Sequence, residues 1–329
     1  VTLPLEKRST SDPGNTPGHC AAAFGLIWQS DWPLPSFAAM APCSAPADIT
    51  VRRACGPLPE RQPLCAHGNV TSFSDGFRYC ADDEGTLDTF GDNRVDFRPC
   101  KTGKDLLPTA FFGTVAALLL AWRGRVPLHG TAVEIDGQAV LICGNAGAGK
   151  STLAAGLIGL GARLISDDLS ILHLGAHGNM PMLVAGRTTL RLHPGIAGLL
   201  DRSVSWGSSA TTDDAKLTVE PPRVDIDSGF PLGAVAILDR NGGPLEESNK
   251  AGMMEAHLFR PFWTRRLLGT LKRRADRHFA WSHPTMFRVP IMEVRTKEVF
   301  ARRAEACLDQ FRRQLKSQDG GVEVLSVTI

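Results

Sequence analysis

The chain has 329 residues, which at about 100–200 residues per domain allows one large domain or two ordinary ones. Hydrophobic residues at 43% and charged residues at 21% are globular proportions, and they exclude disorder or a fibrous repeat as a description of the whole. A net charge of +2 gives no electrostatic reason to expect nucleic acid or an acidic membrane as partner.

No apolar run approaches the roughly 20 residues that a bilayer span requires; the strongest, Ala116 to Ala121, is short and lies beside Arg123 and Arg125. Glu6, Lys7 and Arg8 stand where a secretory h-region would be, so no signal peptide is expected. Cys20, Cys43, Cys55, Cys65, Cys80 and Cys100 fall in the first third without a CxxC pair, which points to structural or incidental thiols in a reduced, cytoplasmic protein.

In chain order, residues 1–20 are rich in Ser, Thr, Pro and Gly and read as a flexible tail. Residues 21–107 alternate short apolar stretches with Pro, Gly and Asp, the pattern of a β-rich N-terminal domain. Thr109 to Trp122 changes to Ala, Leu and Phe and is followed by Gly124, which predicts a buried helix leading into a second domain, residues 108–329. Ala132 to Ile135, the turn Asp136-Gly137, and Ala139 to Cys143 then predict a hairpin.

The second strand runs into Gly144-Asn145-Ala146-Gly147-Ala148-Gly149-Lys150-Ser151, followed by a helical stretch from Thr152 to Leu160 that Gly161 ends. Arg163 to Ser166 leads as a strand into Asp167-Asp168. Strand, glycine-rich loop, helix and a strand ending in acids is the order of a P-loop βαβ unit in an α/β fold. Residues 144 to 151 fit GxxxxGK[ST] at every fixed position. Such a loop lets backbone N–H groups converge on phosphate at a helix N-terminus, with Lys150 set against the β- and γ-phosphates of ATP and the Ser151 hydroxyl on Mg²⁺. A connecting turn alone would explain neither Lys150 nor Ser151. In a parallel sheet Asp167 and Asp168 would lie beside the phosphates, one holding the metal shell and the other accepting the proton of an attacking hydroxyl. His129, placed just ahead of the first strand, reads from spacing alone more readily as structural than catalytic.

Leu128-His129-Gly130, the two strands, the loop through Thr152, and Gly161 to Asp168 together resemble the catalytic domain of HPr kinase/phosphorylase and its kinase-like relatives. The resemblance implies an HPr-kinase/PEP-carboxykinase-like P-loop domain behind the smaller β-rich one. It also implies Asp167 as base toward a serine hydroxyl, His129 as its neighbour and Asp168 as a metal or supporting carboxylate. Gly25 to Phe37, with Ser30-Asp31-Trp32-Pro33-Leu34-Pro35, is similar to the N-terminal part of relatives outside central sugar regulation, some of which phosphorylate serine on ribosomally made peptides such as lasso-peptide precursors. Val184 to Gly195 departs from the bifunctional enzyme, lacking its acidic Glu-x-Arg-Gly-type segment, which puts phosphorylase activity and HPr as the substrate in doubt.

Residues 251–315 hold fourteen Arg and Lys against six acids, a net +8, led by Arg265, Arg266, Lys272, Arg273, Arg274 and Arg277. Such a face could guide an acidic peptide or be a solvated helix surface. The expected function is an ATP- and Mg²⁺-dependent kinase for a serine of a peptide or small protein, with neither nucleic acid nor membrane as partner and homo-oligomerisation left open. A small-molecule hydroxyl kinase and a nucleotide-gated regulator are the alternatives.

Overall fold

A computed structural model describes residues 18–41, 46–100, 105–173, 181–197, 200, 207–213, 216–239, 254–272, 285–290 and 297–316. The expected tail lies outside the described residues up to position 17, and the first strand already begins at position 19. The turn-rich first third folds as β1 (His19–Ala23), β2 (Leu26–Ser30), β3 (Ala38–Met40), β4 (Ile49–Arg53), β5 (Cys65–His67), β6 (Val70–Phe73), β7 (Gly76–Ala81), β8 (Gly85–Phe90) and β9 (Arg94–Pro99). These form one nine-stranded sheet in the order β3-β1-β2-β4-β9-β8-β7-β6-β5, parallel at β2–β4 and β4–β9 and antiparallel elsewhere. Alternation sends Leu87, Val95 and Phe97 inward beside Trp28 and Ile49. Asp88, on the other face of β8, is fully buried but paired with Arg78 at 2.7 Å and Arg98 at 3.0 Å, so its charge is compensated.

The Ala-, Leu- and Phe-rich run begins with a π-helical turn, Phe111–Val115, and continues as α1 (Ala116–Trp122), buried from Phe111 through Ala121. The remaining elements are β10 (Val126–Ile135), β11 (Gln138–Gly144), α2 (Lys150–Gly159), β12 (Arg163–Ser166), β13 (Leu169–His173), β14 (Met182–Val184), β15 (Leu190–Leu192), α3 (Pro194–Ala197), β16 (Gly207–Asp213), β17 (Lys216–Glu220), β18 (Gly229–Asp239), α4 (Pro261–Lys272), β19 (Thr285–Pro290) and α5 (Lys297–Lys316). The arrangement of mixed sheets with packed helices is α/β.

The hairpin forms where the sequence places it. Asp136 and Gly137 both take positive φ, as a two-residue turn requires, and the Gly137 N–H donates to Glu134 Oε1 at 2.6 Å. Two expectations are corrected. His129 does not precede the first strand but sits inside β10, which starts six residues before Ala132. Nor is the sheet that holds β11 and β12 a parallel one. The tight hairpin makes β10 antiparallel to β11, and β12 takes the other edge of β10, also antiparallel, so β10 separates the two strands of the βαβ unit. The first half of β10 pairs instead with β13, and pairing continues through β14 and β18 back to β11, closing the strands on themselves.

Alternate residues of β10 and β11 feed two cores. Val133, Ile135, Val140 and Ile142 meet Leu153 and Leu157 of α2 and Leu308 and Phe311 of α5, while Ala132, Leu141 and Cys143 meet Leu172, Met254 and Leu258. A third core joins the N-terminal sheet to α1, to Leu169 and Ile171 of β13 and to Trp263 and Leu267 of α4. It is continuous across the boundary expected at residue 107.

Arg273, Arg274 and Arg277 of the basic segment lie outside the described residues. Of its described members, Arg265 pairs with Glu255 at 3.3 Å, Arg312 with Asp136 at 3.2 Å, and Arg303 is buried. The described cysteines are free thiols. Among the described residues no helix is long and apolar enough to cross a membrane.

The helix that follows the loop is fixed by close packing on α5. A Cβ added at Gly156 would lie 2.7 Å from the Ala304 Cβ and 3.3 Å from the Phe300 ring. Gly156→Val should therefore force the helices apart and destabilise the fold by about 1–3 kcal/mol, read as a lower denaturant midpoint; an unchanged midpoint would mean that α2 and α5 can separate without cost.

Candidate active site

The loop after β11 turns on two glycines that no other residue could replace cheaply. Gly144 has φ 148, and a Cβ there would lie 3.0 Å from the Leu238 carbonyl oxygen and 3.1 Å from the Ala148 Cβ. Gly149 caps α2 in the left-handed conformation, φ 93, and no side chain caps this helix N-terminus. Asn145, Ala146 and Gly147 are exposed, whereas Ala148 and Lys150 are buried and Ser151 and Thr152 half-buried. Lys150 Nζ donates back to the Gly144 carbonyl at 2.9 Å and to that of Asn145 at 3.2 Å. Burial pulls the Lys150 ammonium below the ordinary lysine value, against the opposing attraction of Asp168, the Cys143 thiol and Asp167.

At the far end of β12 the two acids meet different surroundings. Asp167 is 3% exposed, and its Oδ1 accepts from Ser151 Oγ at 2.9 Å and from the fully buried Thr131 Oγ1 at 2.6 Å. Its Oδ2 accepts from the Arg191 backbone N–H at 3.3 Å. Asp168 sits at φ 66, a left-handed conformation that a non-glycine residue adopts only when its neighbours enforce it. Ser166 Oγ supplies part of that enforcement, donating to the Leu169 carbonyl at 2.6 Å and accepting from the Arg187 N–H at 3.0 Å.

The turn brings the Asp168 side chain, 42% exposed, to His129 and Arg187. His129 Nδ1 lies 3.3 Å from Asp168 Oδ1 and 3.2 Å from its carbonyl oxygen, and Arg187 Nη1 donates to Asp168 Oδ2 at 3.1 Å. Burial disfavours the charged carboxylate, but the His129 hydrogen bond and the Arg187 charge outweigh it and hold the Asp168 carboxyl down at about 2. His129 is itself seated by its N–H to the His257 carbonyl at 2.7 Å and by the edge-on ring of Phe259 at 5.7 Å. Burial, reinforced by Lys150 and His129, lowers the His257 value.

The structure thus connects Ser151, Asp167, Asp168 and His129 through short contacts and places Lys150 at the root of the same loop. The sequence reading missed Thr131, Arg187, His257 and Phe259. Thr131 follows His129 by two residues, the spacing that puts both on one face of a strand, so an earlier strand start would have exposed it. Arg187, His257 and Phe259 reach the site through pairings distant in sequence and leave no local signal.

Two oxygen donors, Ser151 Oγ and Asp167 Oδ1, stand together, and no group of three or more His, Cys, Asp or Glu suited to a metal occurs among the described residues. A donor set this small fits Mg²⁺, which keeps waters and takes further ligands from phosphate, and does not fit a metal that needs an all-protein cage.

Residues 122–220 match the family model of the HPr Serine kinase C-terminal domain. The HPr kinase/phosphorylase of Cupriavidus metallidurans is 31% identical over 176 residues, 47% of this chain and 52% of that protein. The HPr kinase/phosphorylase of Lactobacillus johnsonii is 54% identical over 44 residues, 13% of this chain and 14% of that protein. The solved Hpr(Ser) kinase/phosphatase from Coxiella burnetii aligns at 21% identity with a TM-score of 0.23, over 37% of this chain and 72% of that one. The chain spans about half the length of the curated relatives it matches, or less.

The low Asp168 value fixes the sign of a pH effect. A carboxyl whose value falls on folding adds stability that is present above its unfolded value, about 3.9, and is lost as the pH falls through its folded value. Wild type should therefore exceed Asp168→Asn in stability at neutral pH, with the gap closing between about pH 4 and pH 2, measured by urea unfolding across that window. A gap that persists at pH 2 would rule out the ion pair as its source.

Proposed function

We propose that the chain, whose residues 122–220 match the HPr Serine kinase C-terminal domain, is a kinase-type phosphotransferase that moves the γ-phosphoryl group of ATP to a serine hydroxyl of a peptide or small protein. The observation that carries the reading is the division of labour between two adjacent carboxylates. One is buried against the loop serine, and the other is open and paired with His129 and Arg187.

The backbone N–H groups of the loop and the N-terminus of α2 receive the phosphates, and Lys150 exchanges its two carbonyl partners for phosphate oxygens. Ser151 and Asp167 would hold Mg²⁺. Held there, the ion would supply positive charge to offset that of the phosphates. The resemblance puts the base at Asp167, with Asp168 in the metal or supporting shell, whereas sequence spacing leaves the two tasks undivided; the contacts favour the exchange of these roles. Asp167 is buried and accepts from Thr131, Ser151 and the Arg191 N–H, a setting that suits a place in the metal shell beside Ser151 better than contact with an acceptor arriving from outside.

Asp168 is open to an acceptor and ionised at neutral pH, and its left-handed turn aims it away from the core. It accepts the serine proton as the new P–O bond forms and the bond to ADP breaks, with His129 and Arg187 fixing its orientation. The exposed loop residues 145–147 and the half-open Asp168 leave room for a bulky acceptor, which supports a peptide or small protein over a fully enclosed small molecule.

The test is transfer of labelled phosphate from ATP and Mg²⁺ to HPr and to precursor-type serine peptides, with phosphoserine read by mass spectrometry. Lys150→Ala should lower transfer by at least about 10², and Asp168→Asn should lower it by about 10² while nucleotide affinity changes by less than about threefold. Near-normal transfer by Lys150→Ala would end the kinase reading. Loss of nucleotide binding in Asp168→Asn, with transfer retained at saturating nucleotide, would return the base to Asp167.

A further inference from the structure

We propose that Phe24, at the turn between β1 and β2, is a positioning residue that holds Arg187 against Asp168, so that the N-terminal sheet forms part of the phosphoryl-transfer site. The functional consequence rests on the kinase reading above; the geometry stands on contacts alone.

Phe24 is fully buried, far from the loop motif in sequence, and adopts φ 59, an unusual conformation for a bulky aromatic residue. Its surroundings enforce that conformation. The Phe24 N–H donates to the Ala185 carbonyl at 2.7 Å, Arg125 Nη1 donates to the Phe24 carbonyl, and the Phe37 ring meets it edge-on at 5.8 Å. Strain held this firmly at a turn is expected where the turn supports something else.

What it supports is the segment from Ala185 to Thr188. The Phe24 ring lies flush against Gly186: a Cβ there would fall 2.3 Å from Phe24 Cε1 and 2.5 Å from Ser166 Oγ, so no residue but glycine fits between ring and β12. The Gly186 N–H donates to the Ile165 carbonyl at 2.9 Å, and the Thr188 N–H donates to the Ser36 carbonyl at 3.0 Å. The segment is therefore tied to the N-terminal sheet region at Ala185 and Thr188 and to β12 at Gly186 and Arg187, with the aromatic ring filling the space between.

Arg187 leaves this clamp with a side chain only 7% exposed. Nη1 reaches Asp168 Oδ2, but the buried Nε has no hydrogen-bond partner among the described residues. A guanidinium that is not held by a full set of acceptors depends on where its own backbone is placed, and the Arg187 backbone is placed by the contacts of Gly186 and Ser166. Removing the ring lets the backbone relax into the void, and Arg187 loses its aim at the carboxylate. Displacements of about 1 Å at a positioning group are enough to cost large factors in rate while leaving a remote phosphate cradle intact.

The experiment uses the full chain, ¹⁵N-labelled, and follows the Arg187 Nε–H resonance, assigned by its absence in Arg187→Lys. Phosphate release from Mg²⁺-ATP is measured in parallel. In Phe24→Ala the resonance should shift and lose its protection from solvent exchange, and kcat should fall about tenfold with KM for ATP changed less than about twofold. Phe24→Leu, which keeps most of the bulk, should restore much of both, and it takes the place of the alanine variant if that one does not fold. An unchanged Arg187 resonance in Phe24→Ala, or in Phe24→Leu used in its place, overturns the proposal. So does a kcat loss matched by a rise in KM that Phe24→Leu does not repair, since that is general destabilisation. If Lys150→Ala releases phosphate like the parent, the kinase reading fails, and the resonance still decides whether Phe24 positions Arg187.

Discussion

The Asp167 carboxylate is the joint on which the rest of the site depends. It is buried, so each of its oxygens must find a donor, and it finds them on three separate pieces of chain: Thr131 on β10, Ser151 on α2 and the Arg191 N–H on β15. Leaving those donors and that charge without partners would cost more than any single packing contact nearby. The end of β12 is therefore pinned beside the first turn of α2. The chain then runs on in the same direction along β10 as β13, and at the break between the two strands Asp168 takes the left-handed conformation.

That break separates two neighbours that differ in sequence by nothing. Asp167 faces inward, with both oxygens accepting hydrogen bonds. Asp168 faces outward, close to an imidazole and a guanidinium that keep it ionised. Two identical side chains acquire different surroundings from the fold alone, the kind of difference that lets neighbouring carboxylates take different tasks. A sequence reading can assign the pair to the site but has no basis for dividing the tasks, because the division depends on which side of the turn each residue leaves.

Features encoded by adjacent residues were legible. The loop motif, the Asp136-Gly137 turn, the helix after Lys150 and the buried helix before Arg123 are local patterns, and the physics that selects their residue types acts within a few positions. The full length of β10 was not legible, because Pro127 interrupts the strand pattern. The proline is tolerated there, where its carbonyl accepts from the Phe259 N–H. The antiparallel placement of β10 between β11 and β12 was equally hidden, since the motif order is the same whether or not a strand intervenes. Arg187 lies in a stretch, Gly186 to Thr189, whose sequence reads as an unremarkable loop; its role comes from Ser166, Asp168 and Phe24, each far away along the chain.

The matched segment begins at residue 122, yet the groups that support Arg187 include Phe24 and Ser36, well before it. The core makes the same point independently. Leu169 and Ile171, immediately after the acid pair, pack in one cluster with Trp28, Phe97 and Phe111 rather than with the core behind the loop. The left-handed turn at Asp168 is thus bracketed: Asp167 on its one side is tied to the loop helix, and Leu169 on its other side is tied to the N-terminal sheet. A turn held from two cores moves only if one of them moves, and interiors packed to crystalline density transmit such displacements instead of absorbing them. The sheet outside the matched segment therefore helps to specify where the Asp168 carboxylate points.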